Sequence, residues 1–286
     1  MLKVLDWYFS NDMTFLNDAL RILSRQHDGV EIIGAATGEN ISKFAQNDFD
    51  VILAIGAKKI GMSEVIQAAN KFNLPEEKLL GDWVVRTPGF TLEKYRCLQN
   101  SNLSILAVNC MGGILSNTLG LPFRSPFINF YLSGADFIKF LSKPHEYLAE
   151  KLIYREHKLN STKTIEFPVV ALGDILINMV HYKSFEDSVE AWKKRKTRIN
   201  WDNLFIMTWT TSHKELEQFD ALPYAKKVCF VPFKSDLDSA WYLEHGLKEK
   251  FPMYVHFVIE TTRGNMFYYD PFDMLLYGKK TPLIEM

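Results

Sequence analysis

Over the first hundred residues, short apolar runs alternate with stretches whose apolar positions fall three and four apart. Val4–Phe9 is a run of the first kind and predicts a strand; Phe15, Leu16, Ala19, Leu20, Ile22 and Leu23 follow at helical spacing. Asp28-Gly29 marks a turn before a second strand, Val30–Ala36. A short helix over Ile41–Gln46, a third strand over Asp50–Ile55, a helix over Ser63–Phe72 with Ser63 at its N-cap, and a fourth strand over Leu79–Val85 complete the series. Strands alternating with helices over short loops predict a parallel sheet with both faces covered, the doubly wound α/β class. The pattern breaks at Arg86-Thr87-Pro88-Gly89-Phe90 and resumes as an amphipathic helix, Leu92–Leu98, before the polar link Gln99–Asn102. A boundary is therefore expected here, dividing the chain into two α/β domains, 1–100 with a Rossmann-like parallel sheet and 101–286 with a mixed sheet.

Beyond the boundary, Leu103–Val108 is a buried-type strand that runs into Asn109-Cys110-Met111-Gly112-Gly113. A short helix over Ile114–Leu119 ends at Gly120 and Pro122. Ile128–Leu132 reads as a strand, and Ser133 or Gly134 opens a helix stopped by Lys143-Pro144. The charged stretch Lys143–Lys163 reads as a solvated helix or loop, and its His145 and His157 are assigned no role. Ile165–Leu172 and Ile175–Tyr182 read as strands about a Gly173-Asp174 turn. Ser184 caps a helix reaching to about Arg198, and Ile199–Asn203 is a polar and aromatic loop. Leu204–Thr208, a helix over Ser212–Phe219 capped by Ser212, and Lys227–Val231 restore a strand–helix–strand order. Met253–Glu260 reads as an alternating strand, Met266–Tyr269 as its partner, and Pro271–Tyr277 as a short helix.

Composition narrows the classes. The 286 residues are 47% hydrophobic and 23% charged, enough apolar material for a sizeable core. A net charge of −1 provides no general attraction to nucleic acid or to an anionic membrane. Cys97, Cys110 and Cys229 are widely spaced with no CxxC or Cys/His ligand pattern, so neither a structural zinc site nor any other metal centre is expected. No uncharged apolar run reaches the ~18 residues a membrane span needs. The first residues lack the basic region and cleavage site of a secretory leader. A cytoplasmic location is expected, and the sequence leaves the oligomeric state open.

The first strand–helix turn, Ser10-Asn11-Asp12-Met13-Thr14, has no glycine and carries an acid, so a dinucleotide fingerprint is missing and no cofactor is expected. Thr37-Gly38 and Gly56-Ala57-Lys58-Lys59 are loops at the sheet edge that either line a different ligand or simply turn. Cys110 ends a strand just before a helix. Backbone N–H groups and the helix dipole would there favour its thiolate, and Gly112 and Gly113 would let those N–H groups approach a ligand. The same residues would also serve close packing. His181 continues the apolar stripe of Ile175, Ile177 and Met179 to a strand end, where a base would sit. Asn200 and Asp202 could orient it, and Trp201 could stack on a sugar. Lys193, Lys194, Arg195, Lys196 and Arg198 match a helix C-terminus or, through Arg195 and Arg198, an anion.

The combination Asn109-Cys110-x-Gly112-Gly113, Leu119-Gly-Leu-Pro122, Ser125-Pro126, Asp136–Leu141, Leu172-Gly173-Asp174, His181-Tyr182 and Arg195–Leu204 resembles an uncharacterised bacterial family labelled with exopolysaccharide or capsule biosynthesis. The likeness spans roughly residues 100–280 and implies a sugar or polysaccharide precursor as partner. Three readings follow. One is a thiol-dependent transferase or hydrolase, with Cys110 as nucleophile, His181 as base, Asn200 or Asp202 as orienter, and Gly112, Gly113, Ser125, Asp174, Trp201, Arg195 and Arg198 lining the ligand. Another is a nucleotide-sugar glycosyltransferase using Asp236 and Asp238 on a divalent metal. The third is a non-catalytic carbohydrate- or protein-binding module with Trp201, Trp241 and Tyr242 as contacts.

Overall fold

The computed structural model describes residues 1–44, 48–159, 164–246, 248–263 and 266–283. The chain is mixed α/β and divides into two compact units. One comprises Met1–Asn102, Leu115–Phe123 and Asp270–Leu276; the other comprises Leu103–Ile114, Arg124–Tyr269 and Tyr277–Met286.

The first unit is built on a four-stranded parallel sheet from β1 (Leu2–Tyr8), β2 (Val30–Ala36), β3 (Val51–Ile55) and β4 (Leu79–Gly81), in the order β2-β1-β3-β4. Every residue of β3 is buried, as expected of a parallel strand covered on both faces. Helix α1 (Leu16–Gln26) buries Leu16, Ala19 and Leu23, and α2 (Met62–Lys71) buries Met62, Val65 and Ala69, both at helical spacing. The N-cap of α2 is Gly61 at φ +84°, not Ser63, because the chain enters the helix through a left-handed residue. Strand β4 stops at Gly81 and a single 3₁₀ turn takes over at Val84–Arg86, so the apolar run Leu79–Val85 is only half strand. Ile41–Phe44 is likewise 3₁₀, and Gln46 lies outside the described residues. Helix α3 (Leu92–Asn100) is capped by Thr91, whose hydroxyl accepts the Lys94 N–H.

The second unit holds a parallel sheet from β5 (Ser104–Ala107), β9 (Leu204–Trp209), β10 (Lys227–Val231) and β11 (Ala240–Tyr242), in the order β11-β10-β9-β5. An antiparallel sheet, β6 (Leu152–Leu159), β7 (Glu166–Leu172) and β8 (Ile175–Asn178), lies in the same unit. The charged stretch after Lys143 is therefore helix α6 (Pro144–Ala149) followed by an edge strand, with Lys163 outside the described residues. Helices α4 (Met111–Thr118), α5 (Gly134–Ser142), α7 (Phe185–Lys196), α8 (His213–Asp220), α9 (Tyr254–Thr261) and α10 (Pro271–Tyr277) complete the chain. Ser133, Ser184 and Ser212 cap α5, α7 and α8, each hydroxyl accepting an N–H three residues on.

Three expected strands are absent. Ile128–Leu132 is a turn with Asn129 at φ +66°, joined to β8 by one bridge, Tyr131 to Asn178. Met253–Glu260 is helix α9, because Tyr254, Phe257, Val258 and Thr261 are the buried set, a spacing of three, four and seven. Its expected partner, Met266–Tyr269, forms only a bridge from Tyr269 to Pro282. Among the described residues no helix is long and apolar enough to cross a membrane.

Candidate functional site

Cys110 stands just past β5, at the end where Val108 still donates to the Met207 carbonyl at 3.3 Å. The buried Asn109 turns the chain: its Oδ1 accepts the Met111 N–H at 2.9 Å, and the Cys110 carbonyl accepts the Ile114 N–H at 2.9 Å to open α4. The two glycines are thus inside the first turn of α4 rather than ahead of it. A Cβ on Gly112 would lie 2.8 Å from Ala107 Cβ and 3.3 Å from Ile105 Cγ2. One on Gly113 would lie 3.1 Å from Ile128 Cδ1. Gly112 lets helix and strand approach closely, which is a packing role.

The thiol is half-buried, and desolvation pushes its pKa up. Its own backbone N–H and the Arg263 guanidinium pull the other way without overcoming burial. The expectation of a favoured thiolate is therefore reversed, because burial of the sulfur outweighs the N–H and the cation that favour the charged form. The cation that acts on Cys110 is Arg263, just past α9, with no histidine in that role among the described residues.

His181 does not lie on a strand. β8 ends at Asn178, and the Tyr182 N–H closes a turn onto the Met179 carbonyl at 2.9 Å, leaving His181 exposed. Asn200 and Asp202 belong to the opposite edge of the parallel sheet from Cys110. The Asn200 N–H donates to Ser104 Oγ at 2.8 Å, at the start of β5, whereas Cys110 follows its end. At about 3.3 Å per residue, the strand puts ~10 Å or more between them. Nucleophile and orienter are not brought together.

Several ligand-lining candidates are engaged elsewhere. Arg195 donates to the Ile128 carbonyl and stacks over Phe130 and Tyr182 at 5.8 and 5.7 Å, and its burial lowers its pKa. Arg198 is exposed. Asp174 accepts from Tyr147 Oη at 2.6 Å and Lys139 Nζ at 2.9 Å, which hold its carboxyl below the usual range. Ser125 is buried, its Oγ taking the Phe127 N–H at 3.2 Å. Asp236 and Asp238 are exposed at the entry to β11, the N-terminal edge, where Asp238 acts on Lys227 and Lys280. No group of three or more His, Cys, Asp or Glu side chains is placed to hold a metal among the described residues. Trp241 is buried against Tyr269 at 4.7 Å and cannot be a contact.

Trp201 and Asp202 do line a cleft, of about 400 Å³, at the N-terminal edge of the second unit's parallel sheet. The Trp201 ring packs against His145 with centroids 4.4 Å apart. Tyr224, Asn203 and Lys226 join them, Lys226 Nζ donating to Asn203 Oδ1 at 2.6 Å and its pKa lowered by burial. His145 has no partner histidine at metal-ligand spacing, and its charged surroundings read as solvated. Nothing local in sequence links it to Trp201, fifty-six residues on.

A family model for a domain of unknown function, DUF1919, matches residues 84–277. An uncharacterised protein of Haemophilus influenzae is 33% identical over 183 residues, covering 62% of this chain and 84% of that protein.

Proposed function

This chain belongs to the DUF1919 family, and on that premise we propose that its second unit recognises a sugar or polysaccharide precursor in the cleft around Trp201. One observation carries the reading: a half-exposed indole, backed by the His145 ring, stands beside a carboxylate, an amide and an ammonium. The apolar face of a sugar ring stacks on an aromatic plane, while its hydroxyls take paired donors and acceptors of the kind Asp202, Asn203 and Lys226 supply. The likeness to proteins labelled with exopolysaccharide or capsule biosynthesis supports the same ligand class. We also read the first unit, with its sheet order β2-β1-β3-β4, as the Rossmann-like member of two α/β domains.

Fluorescence titration with a panel of mono- and oligosaccharides tests the reading. Trp7, Trp83, Trp192 and Trp241 are buried, so a ligand-dependent change arises from the half-exposed Trp201 or Trp209. Binding of at least one saccharide is expected, weakened about tenfold or more by Trp201→Ala, the loss of one stacking contact and its buried area. Saccharide affinity unchanged in Trp201→Ala would overturn it.

A second reading, a thiol-dependent transferase or hydrolase, is favoured by one feature, the Cys110 thiol at the N-terminus of α4 under the field of Arg263. Since burial opposes ionisation, the thiol requires a base to react near neutral pH. Cys110→Ser should abolish polysaccharide production in cells while Cys97→Ser leaves it intact; retained production in both rules out the thiol.

A further inference from the structure

We propose a second ligand site, for a phosphorylated sugar or a like small molecule with hydroxyls and one anionic group, over the C-terminal edge of the parallel sheet β11-β10-β9-β5. Strands β9, β10 and β11 run parallel, so their C-terminal ends share one edge. Thr211 lies two residues past the end of β9, Pro232 directly follows β10, and Tyr242 is the last residue of β11. These three, with Glu244, His245, Lys248 and Tyr254, line a cleft of about 380 Å³. Ligands of parallel α/β sheets gather at the carboxyl edge, where strand-borne loops converge, and this volume lies within the usual range for small-molecule sites.

The chemistry of the wall selects the ligand. His245 Nε2 lies 2.7 Å from the Phe251 carbonyl, which can only accept. In the neutral ring the proton is therefore on Nε2, and Nδ1 is left as the acceptor. The imidazole is held in that attitude by Phe257, stacked at 5.1 Å, and by Tyr254 at 5.5 Å. Glu244, exposed and on the same wall, is a second acceptor. Two acceptors side by side call for hydroxyl donors on the ligand. Tyr254 turns its hydroxyl to the Leu243 carbonyl at 3.4 Å and so presents its ring. Lys248, with Lys234 Nζ 5.9 Å over the Tyr242 ring, supplies positive charge for an anionic group.

This edge is opposite the one that carries Trp201, so the two sites fail or stand separately. The test uses the full chain in a Trp201→Phe background, where Trp209, 6.2 Å from the Tyr254 ring, becomes the reporter. Glucose 1-phosphate, glucose and inorganic phosphate are titrated in turn, with the His245 ring ¹⁵N resonances followed in parallel. Glucose 1-phosphate is expected to saturate, shift Nδ1 and bind about tenfold more tightly than either fragment. Glu244→Gln and Lys248→Met, both at exposed positions, should each weaken it about tenfold without altering thermal unfolding. The proposal is overturned by equal affinity for phosphate alone, by unchanged affinity in both variants, or by no saturable binding at millimolar probe.

Discussion

Asp82 is fully buried, with Oδ2 taking the Gly56 N–H at 3.3 Å and Oδ1 without a partner. Burial raises its pKa from 3.8 to about 6, against the pull of the Gly56 and Trp83 N–H groups. A carboxyl with a raised folded-state pKa takes up a proton on folding between those two values. Its contribution to stability is present below the lower one and is lost as pH rises through the upper. Asp6, 3% exposed and with Oδ1 also unpartnered, behaves likewise. Asp82→Asn should therefore shrink the fall in unfolding free energy between pH 4 and pH 7, by on the order of 1–3 kcal/mol. Urea unfolding at both pH values measures this, and an identical pH profile in the variant would refute it. Neither the burial of Asp82 nor the burial that keeps Cys110 protonated is visible in composition or spacing, since both depend on what packs around the residue.

At the scale of elements, the fit of α4 on β5 is set by Gly112. Its missing Cβ is the space occupied by Ala107 and Ile105, atoms close to a strand backbone that cannot give way. Gly112→Ala should cost about 1–3 kcal/mol of overpacking, against the slight gain in helix propensity alanine brings elsewhere. A melting temperature at or above that of the parent would show that the helix can shift. The glycine pair stands out in sequence, where both a ligand-lining and a packing role are open to it. The decision needed the distance to Ala107. Elements with one strong periodicity were legible, as with Val30–Ala36, Lys227–Val231 and the three serine-capped helices. Helix α9 was not, because Tyr-Val-His-Phe-Val-Ile-Glu is a short, mostly apolar run rich in aromatic and β-branched residues that suits a strand as well as a helix; burial of Tyr254, Phe257, Val258 and Thr261 selected the helix.

Across the whole molecule, the first unit is completed by a segment, Asp270–Leu276, that follows the rest of it only after the long stretch from Arg124 to Tyr269. Lys94 Nζ reaches Asp270 at 2.9 Å and Asp273 at 2.7 Å, and both acids are nearly buried. Asp270 Oδ1 also accepts the Phe272 and Asp273 N–H groups at 2.8 and 3.2 Å, opening α10. Lys94→Met removes the lysine that pairs with both acids and leaves two carboxylates close together. A loss of about 2 kcal/mol is expected, reduced from the cost at a fully buried site because Lys94 is partly exposed. Truncation before Asp270 should destabilise at least as much; a first unit as stable in either variant as in the parent would remove the tie its role.

Local pattern was enough to decide that this chain alternates strand and helix and that a strand ends near Cys110. Those features depend on which residues lie two, three or four apart, and neighbours in sequence determine them. Strand order and register decided the rest. They put Cys110 and Asn200 on opposite sheet edges, drew His145 onto Trp201, and gathered Thr211, Tyr242 and His245 around one cleft. A sheet edge is assembled from strand ends that may be a hundred residues apart, so no short-range pattern encodes which loops will share it.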